Sequence, residues 1–407
     1  MNIGIFTDTY FPQVSGVATS IQTLKEQLES KGHSVYIFTT TDPRVPEDAV
    51  EPNVFRFGSV AFVSFKDRRI AVRGLFQALE VARNLKLDII HTQTEFSIGY
   101  IGKFVARSMH IPTVHTYHTM YEDYLHYVMN GHLLKPYHVR QMTRAFLHHD
   151  AGVIAPTDRV LETLAGYGVS SPIRVIATGV NLESFAKTPT RDIRAELGLS
   201  DVPVLISLSR VAFEKRINKV IDAMPRILKS VPDSVLLVVG DGPARASLEE
   251  QAETLDIADH VRFIGEVQHD EVPLYYHAAD IFLSASDSEA QGLTYLEAMA
   301  AGTKVLALSG EYTDVLLNDP SLGRTFSTPS EMAAQVIDYF EHPEAYQENG
   351  AREAKLRNIS ARQFGERVLK MYNDASVYYE QVLAPRLAEH AVARPLRFRR
   401  VKRKEIE

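Results

Sequence analysis

The chain alternates short apolar runs with longer stretches in which apolar residues recur every three or four positions. The first such unit is an apolar run at 3–6, a helical pattern through Ile21, Leu24 and Leu28, and a second apolar run at 35–38. A strand, a helix and a second strand in this order form a βαβ unit, which implies a parallel sheet.

The same alternation of predicted strands and helices continues along the chain and restarts after a polar, proline-containing stretch at 178–190. We therefore expect two α/β domains, with the boundary at this stretch. The further predicted strands are 54–57, 88–91, 113–116, 151–155 and 174–177 before it, and 204–208, 235–239, 261–265, 281–283 and 304–307 after it.

The most informative stretch begins with the apolar run 281–283 and ends at Gly302. Gly292 precedes a run of good helix formers at 293–301, and Gly302 suits the end of that helix. Glu289 then lies in the loop between strand and helix, and Glu297 lies about two turns further on, inside the helix.

A helix that starts here offers unpaired N–H donors and partial positive charge, which suits an anionic ligand. The carboxylates of Glu289 and Glu297 can accept hydrogen bonds from hydroxyl groups on either side of that anion. A sugar, a diphosphate and a ribose would fit this order. For each glutamate alone, the alternative is a solvated acid on a loop or on a helix surface.

Composition narrows the possible functions. At 407 residues, with 45% hydrophobic and 23% charged residues, the chain has the size and character of a soluble protein of about two domains. The absence of cysteine excludes disulfides, a thiolate nucleophile and Cys-rich zinc sites. A net charge of −7 argues against general nucleic-acid binding.

The sequence predicts neither a secretory signal nor a spanning segment. The N-terminal stretch lacks a basic region and reaches Asp8 at once, and no apolar run approaches the roughly 18 residues needed to cross a bilayer. We therefore expect a cytoplasmic location. The tail at 394–404 is strongly basic.

Two further basic segments are candidates for contact with a membrane surface. The segment 62–73 mixes aromatic residues with basic ones, and the predicted helix 137–147 is amphipathic. An ordinary surface helix that packs its apolar face inward is the alternative for the second. The basic residues of the first segment are Lys66, Arg68, Arg69 and Arg73, whereas the helix has Val139, Met142, Ala145 and Phe146 on its predicted apolar face and Arg140, Arg144 and His148 on another.

The pair Glu289 and Glu297, separated by seven residues, resembles the E-x7-E signature of retaining glycosyltransferases of the GT-B fold, family 4. The resemblance extends over essentially the whole chain. It implies two Rossmann-like, doubly wound parallel-sheet domains that face a central cleft. The implied organisation is an acceptor- and membrane-facing domain at 1–180, a nucleotide-sugar-binding domain at 181–360, a helix that crosses back to the first domain at 361–385, and a basic tail at 386–407.

The resemblance also implies roles for individual residues. The donor diphosphate would be held by the Gly16 backbone, by Arg210 and Lys215, and by the helix start at Gly292 and Leu293. Glu289 would hold sugar hydroxyls and Glu297 the ribose. Family members often have two adjacent glycines where this chain has Ser15 and Gly16.

A histidine in the loop after the strand 113–116 lies beside the transferred sugar in this family. The resemblance carries this role to His118, and we assign His118, Glu289, Arg210 and Lys215 as the catalytic set. His115 and His126 are the competing candidates for the histidine.

Within family 4, the segments 6–20, 65–69, 91–96 and 115–124 are similar to those of bacterial diacylglycerol glucosyltransferases. This similarity implies transfer of glucose from UDP-glucose to the 3-hydroxyl of 1,2-diacylglycerol with retention, by an enzyme peripheral to the inner face of an anionic cell membrane. No Asp-x-Asp triplet stands beside the donor motifs, so we expect no metal or other cofactor.

Two alternatives remain at this point. One is a family-4 transferase that acts on a soluble sugar or on a phosphatidylinositol-type lipid. The other is a regulator that binds a nucleotide sugar without catalysis. Donor hydrolysis measured with and without lipid distinguishes them.

Overall fold

The computed structural model of the protein describes residues 1–13, 15–46, 48–62, 65–122, 135–187 and 189–393. It contains two parallel sheets, each covered by helices. This confirms the predicted pair of Rossmann-like, doubly wound α/β domains.

The first sheet has seven parallel strands in the order β3-β2-β1-β6-β7-β8-β9. Its central strands are buried throughout, as expected where helices cover both faces of a parallel sheet. The strands are β1 Asn2–Phe6, β2 Ser34–Thr40, β3 Val54–Phe57, β6 Ile89–Thr92, β7 Thr113–Thr116, β8 Gly152–Ala155 and β9 Ile173–Val175.

A separate antiparallel hairpin, which the sequence did not predict, follows β3. It consists of β4 Ser59–Phe62 and β5 Phe65–Ala71. The helices of this domain are α1 Gly16–Glu29, α2 Leu75–Asn84, α3 Ser97–Met109, α4 Pro136–Leu147 and α5 Asp158–Gly166.

The second sheet has six parallel strands in the order β12-β11-β10-β13-β14-β15. Its strands are β10 Val204–Leu208, β11 Val235–Val239, β12 Val261–Gly265, β13 Ile281–Ser284, β14 Lys304–Leu308 and β15 Gly323–Phe326. The strand order reverses between β10 and β13, and ligands of open α/β sheets bind beyond the carboxyl ends of the strands at such a point.

Helices cover both faces of this second sheet. They are α6 Leu182–Ala186, α7 Ile193–Glu196, α8 Ile217–Ser230, α9 Arg245–Thr254, α10 Val272–Ala278, α11 Leu293–Ala301, α12 Glu311–Leu316, α13 Pro329–Glu341 and α14 Ala351–Arg357, with 3-10 helices at Phe213–Lys215, Ala258–His260 and Pro343–Tyr346.

The chain passes between the domains twice, and the two crossings lie side by side. Val180 forms a parallel bridge with Ser360, the residue that caps the next helix. That helix, α15 Ala361–Tyr378, continues through a π-helical turn at Tyr379–Leu383 into α16 Ala384–Ala393. The buried side of α15 packs into the core of the first domain, and its residues there include Phe364, Val368, Met371 and Tyr372.

The predicted apolar face of α4 is partly wrong. Val139 and Phe146 are buried, but Met142 is 56% exposed and Ala145 is also exposed. Thr143 and Leu147 take their places because residues 139, 143, 146 and 147 form one stripe at 3.6 residues per turn.

The remaining predictions of membrane contact concern the segment 62–73 and the basic tail. Arg69, one of the predicted membrane-contact residues, donates from its guanidinium to the side chain and the carbonyl of Ser59, each at 2.8 Å, and its contact with a membrane stays a prediction. The side chains of Lys66 and Arg68 and the tail 394–404 lie outside the described residues. Within the described ranges, no helix is both long and apolar enough to cross a lipid bilayer.

Candidate active site

The start of α11 depends on glycine. Gly292 has φ +67°, and a Cβ built on it would lie 2.5 Å from the Tyr295 ring, so any other residue would clash. Tyr295 is fully buried, and its hydroxyl lies 3.2 Å from the Ser284 hydroxyl at the end of β13. This packing fixes the loop that carries Glu289 relative to the first turn of α11.

The first turns of α1 and α11 meet between the two domains. A Cβ built on Gly16 would lie 3.9 Å from Cδ1 of Leu293, which is van der Waals contact. The first N–H groups of each helix have no partner within their own helix, and both helix dipoles place partial positive charge here. Two helix N-termini that converge in this way favour an anion such as a diphosphate.

Ser15, which replaces a glycine of the usual family pattern, is the N-cap of α1. Its hydroxyl accepts from the backbone N–H of Ala18 at 3.2 Å. A serine in this position fixes the helix start while leaving Gly16 as the residue without a side chain at the contact with Leu293. The departure from two glycines is therefore compatible with the predicted site.

Two cations of the predicted site lie on the loop after β10, each beside a carboxylate. The Lys215 ammonium lies 2.5 Å from Oε1 of Glu289, and the Arg210 guanidinium pairs with Glu214. Burial by itself would raise the pKa of the Glu289 carboxyl, but the charge and hydrogen bond of Lys215 outweigh it and hold the pKa below its usual value. Glu289 is therefore ionised at neutral pH and neutralises Lys215.

Glu297 occupies a different environment from Glu289. It is buried on α11, and the Tyr276 hydroxyl donates to its Oε2 at 3.1 Å. Burial raises the pKa of Glu297 to about 7. The predicted contact with a ribose stays a prediction.

His118 lies in the segment after β7 and is half-buried. Its Nε2 lies 2.6 Å from Oε1 of Gln93. Burial, with a smaller contribution from His115, lowers the pKa of His118 to about 3, so the ring is neutral at physiological pH.

The competing histidines differ from His118 in their surroundings. His115 is fully buried, and its ring nitrogens lie 2.8 Å from the Thr92 hydroxyl and 3.0 Å from Glu95. His126 lies outside the described residues. Because His115 already has a partner at both nitrogens, His118 is better placed to contact a ligand.

Contacts between the domains bring the Glu289 loop close to the first domain. The Gln291 side chain donates to the Thr178 carbonyl at 2.9 Å and accepts from the Thr178 N–H at 2.7 Å, and the Thr157 hydroxyl donates to the Ala290 carbonyl at 3.0 Å. Ala290 also packs against the cluster that contains Tyr117, the neighbour of His118.

The sequence alone indicated no role for Gln291, Thr157 or Gln93. Each contact joins residues far apart in the chain, for example 113 positions for Gln291 and Thr178, so local patterns carry no signal for it. An N-cap threonine before α5 was the one detectable feature, because Thr157 also accepts from the N–H of Val160.

Across the residues that the structure describes, no group of three or more histidine, aspartate or glutamate side chains is placed to hold a metal ion.

Comparison with known proteins identifies the family of this chain. Residues 14–184 match the family described as Glycosyltransferase Family 4, and residues 189–357 match Glycosyl transferases group 1. The alpha-monoglucosyldiacylglycerol synthase of Streptococcus pneumoniae is 46% identical over 93% of this chain and 86% of that protein. The synthase of the same name from Acholeplasma laidlawii is 33% identical over 84% of this chain and 89% of that protein.

Solved structures with a similar fold cover the same extent. The sucrose-phosphate synthase of Thermosynechococcus elongatus has a TM-score of 0.74 at 22% identity, over 92% of this chain and 98% of that one. The Anabaena protein HepE, crystallised with UDP and glucose, has a TM-score of 0.74 at 16% identity, over 92% of this chain and 100% of that one. At these identities the likeness establishes the fold, and together with the close relatives it shows that the chain belongs to glycosyltransferase family 4 and is a glycosyltransferase of the GT-B fold.

Proposed function

We propose that this enzyme transfers glucose from UDP-glucose to the 3-hydroxyl of 1,2-diacylglycerol with retention of configuration, giving alpha-monoglucosyldiacylglycerol. The observation that carries the proposal is the meeting of the starts of α1 and α11 beside the Lys215–Glu289 pair, in a chain 46% identical to a monoglucosyldiacylglycerol synthase. The converging helix starts favour an anion next to a carboxylate, and the similarity to the synthase indicates the sugar and the acceptor.

The donor is expected to bind with its diphosphate between the two helix starts. Lys215 and Arg210 would then move from their carboxylate partners to the phosphates, since a phosphate offers more negative charge and several acceptor oxygens. Glu289, released from Lys215, would accept hydrogen bonds from sugar hydroxyls. Glu297, which is buried on α11, would hold the ribose.

In the proposed reaction, the bond between the anomeric carbon and the diphosphate oxygen breaks as the acceptor oxygen bonds the same carbon on the same face. The departing diphosphate oxygen takes the proton of the acceptor hydroxyl. Negative charge builds on the diphosphate in the transition state, and preorganised donors and cations at that position lower the barrier. We expect the reaction to proceed without a metal ion.

The acceptor is insoluble, so the enzyme must contact a bilayer. The exposed side of α4 carries Tyr137 and Met142, 64% and 56% exposed, together with the exposed Arg140 and Arg144. On α3, Tyr100 is likewise exposed and packs its ring on Phe146 of α4 at 5.0 Å. Exposed aromatic residues beside cations suit the interface of an anionic membrane, where each cation contributes about 1 kcal/mol.

The decisive experiment is product analysis with UDP-glucose, UDP-galactose or GDP-mannose over vesicles that contain diacylglycerol and anionic lipid. We expect glucosyldiacylglycerol from UDP-glucose, and an anomeric proton resonance of the alpha configuration in the isolated lipid. A beta product would overturn retention, and transfer from another donor alone would overturn the choice of sugar.

The same assay decides between acceptors. Vesicles in which phosphatidylinositol replaces diacylglycerol test the second lipid class. Transfer to that lipid alone would refute diacylglycerol as the acceptor. Donor binding without transfer to any acceptor would favour a regulator.

A further inference from the structure

A chain of buried hydrogen bonds connects His118 with helix α15. The His118 Nε2 lies 2.6 Å from the Gln93 Oε1, and the Gln93 Nε2 lies 3.2 Å from the His91 Nδ1. The same His91 nitrogen lies 2.7 Å from the Tyr372 hydroxyl. Gln93, His91 and Tyr372 are all buried, and Tyr372 is 281 positions away from His91 in the sequence.

The Tyr372 hydroxyl fixes the protonation of His91. In the described part of the chain, the His91 Nδ1 is the only hydrogen-bond partner of that hydroxyl. A buried O–H group without an acceptor is unfavourable, so Nδ1 of His91 must be unprotonated and accept. The proton of the neutral His91 ring is then on Nε2, which donates to the Thr116 hydroxyl at 2.7 Å.

The protonation of His91 in turn fixes the orientation of the Gln93 amide. Because the His91 Nδ1 is an acceptor, the part of the amide that faces it must be the NH2 group, which only donates. The amide carbonyl of Gln93 therefore faces His118. A carbonyl only accepts, so the His118 Nε2 must carry a proton.

The remaining nitrogen of His118 is left for a ligand. The low pKa of His118 keeps the ring neutral, so it has one proton, and Nδ1 keeps its lone pair. No atom among the described residues forms a hydrogen bond with Nδ1, and the ring is only half-buried.

We propose that Tyr372, His91 and Gln93 are positioning residues that hold His118 in the Nε2–H tautomer, so that its Nδ1 accepts a hydrogen bond from a hydroxyl of the transferred sugar. The inference rests on the proposed function, which places His118 beside that sugar. Through Tyr372, helix α15 then contributes to the active site, although it lies far from His118 in the sequence.

The tautomer itself is measurable without turnover. We would record the 15N spectrum of the ligand-free protein labelled on its 15 histidines, and assign His118 by the signals lost in His118→Asn. We expect a protonated Nε2 and an unprotonated Nδ1 in the wild type, and a mixture of tautomers in Gln93→Leu. A proton on Nδ1 in the wild type, or an unchanged tautomer in Gln93→Leu, would overturn the inference.

Kinetics provide a second readout that a merely structural role would not reproduce. Tyr372→Phe keeps the packed ring but removes the hydroxyl, and we expect kcat to fall about two- to tenfold with KM for the donor within about twofold. Tyr346→Phe is the matched control, since Tyr346 is buried in the second domain and its hydroxyl donates to Asp338 at 2.8 Å. Equal losses in the two variants would overturn the inference.

The two proposals fail in distinguishable ways. If product analysis finds a sugar or an acceptor other than glucose and diacylglycerol, the proposed function fails, and kcat is then measured on the transfer that is found. The tautomer of His118 in the ligand-free protein still decides the role of Gln93, His91 and Tyr372.

Discussion

Replacing Glu289 by glutamine should change three measurable quantities that depend on the Lys215–Glu289 pair in the wild type. They are the free energy of unfolding, the affinity for UDP and the turnover number. The substitution keeps the shape and the acceptor oxygen but removes the charge beside Lys215. Opposite charges about 4 Å apart attract by about 4 kcal/mol at an effective dielectric constant of about 20. Only part of this attraction contributes to the free energy of unfolding, because the cost of removing the two ions from water offsets the rest.

The exposure of the two side chains determines how much stability and affinity should change. Both side chains are about one-fifth exposed, 19% for Lys215 and 20% for Glu289. We therefore expect destabilisation of about 1–2 kcal/mol, below the 3–5 kcal/mol typical of breaking a fully buried pair. Because Lys215 no longer has to leave the Glu289 carboxylate, UDP should bind about fivefold more tightly, which corresponds to about 1 kcal/mol.

Turnover should respond in the opposite direction. Without the carboxylate that holds the sugar, kcat is expected to fall about 10²–10³-fold, the usual effect of removing a preorganised group from the transition state. Calorimetry with UDP, urea unfolding and lipid product formation measure the three effects. Glu348→Gln is the matched control, because Glu348 lies 3.2 Å from the Lys304 ammonium, outside the candidate site.

Two results would refute this reasoning. If kcat of folded Glu289→Gln stays within a few-fold of the wild type, Glu289 does not hold the reacting sugar. If UDP instead binds more than about tenfold more weakly, the carboxylate supports the diphosphate site rather than competing with the phosphates for Lys215.

Four further predictions follow from the same site and surface. Arg210→Ala should lower turnover about 10²–10³-fold, because the guanidinium stabilises the leaving diphosphate, and should also lower the melting temperature, because the buried Glu214 carboxylate loses its ion pair with Arg210; near-normal activity would count against the first role. EDTA should leave turnover largely unchanged, whereas a requirement for Mn2+ or Mg2+ restored on re-addition would contradict metal-independent transfer. Charge reversal of Arg140 or Arg144 should weaken co-sedimentation with anionic vesicles at low salt more than Arg357→Glu does, and equal sedimentation would exclude α4 as the docking face. Burial raises the pKa of Glu297 from 4.5 to about 7, so the free energy of unfolding of the wild type should fall by about 3 kcal/mol relative to that of Glu297→Gln as the pH rises through this range; urea unfolding at pH 4 and pH 8 checks this, and a constant difference would contradict it.

The sequence predicted α11 to the residue because its two ends are marked locally. Gly292 and Gly302 both adopt positive φ, at +67° and +88°, and the residues between them are good helix formers. All strands of the first sheet and five of the six in the second were also predicted, since buried parallel strands appear as continuous apolar runs. The edge strand β15 Gly323–Phe326 was missed because it has no such run, and its stretch was expected to be helical.

The hairpin β4–β5 and the buried face of α4 were not predicted correctly. The hairpin mixes basic and aromatic residues without the regular alternation that indicates a half-buried strand. On α4, Met142 is apolar and yet exposed, while Thr143 is buried, because the packing of the domain and not the polarity of single residues decides which stripe faces inward.

The candidate site could be predicted only as a set of residue types. Family resemblance indicated Glu289, Lys215 and His118, but their partners depend on tertiary structure. The Gln291 contact with Thr178 and the Tyr372 contact with His91 join parts of the chain more than 100 residues apart, so no local pattern could have indicated them.

The position of α15 has a consequence for how the protein is synthesised. The first domain emerges from the ribosome first, but part of its core is supplied by Phe364, Val368 and Met371. At about 5–20 residues per second, some ten seconds or more pass before that helix is available. During this time the surface that α15 covers in the finished domain is open to solvent, including the part of β8 at Gly152 against which Met371 packs. The first domain can therefore complete its core only after the second domain has been made.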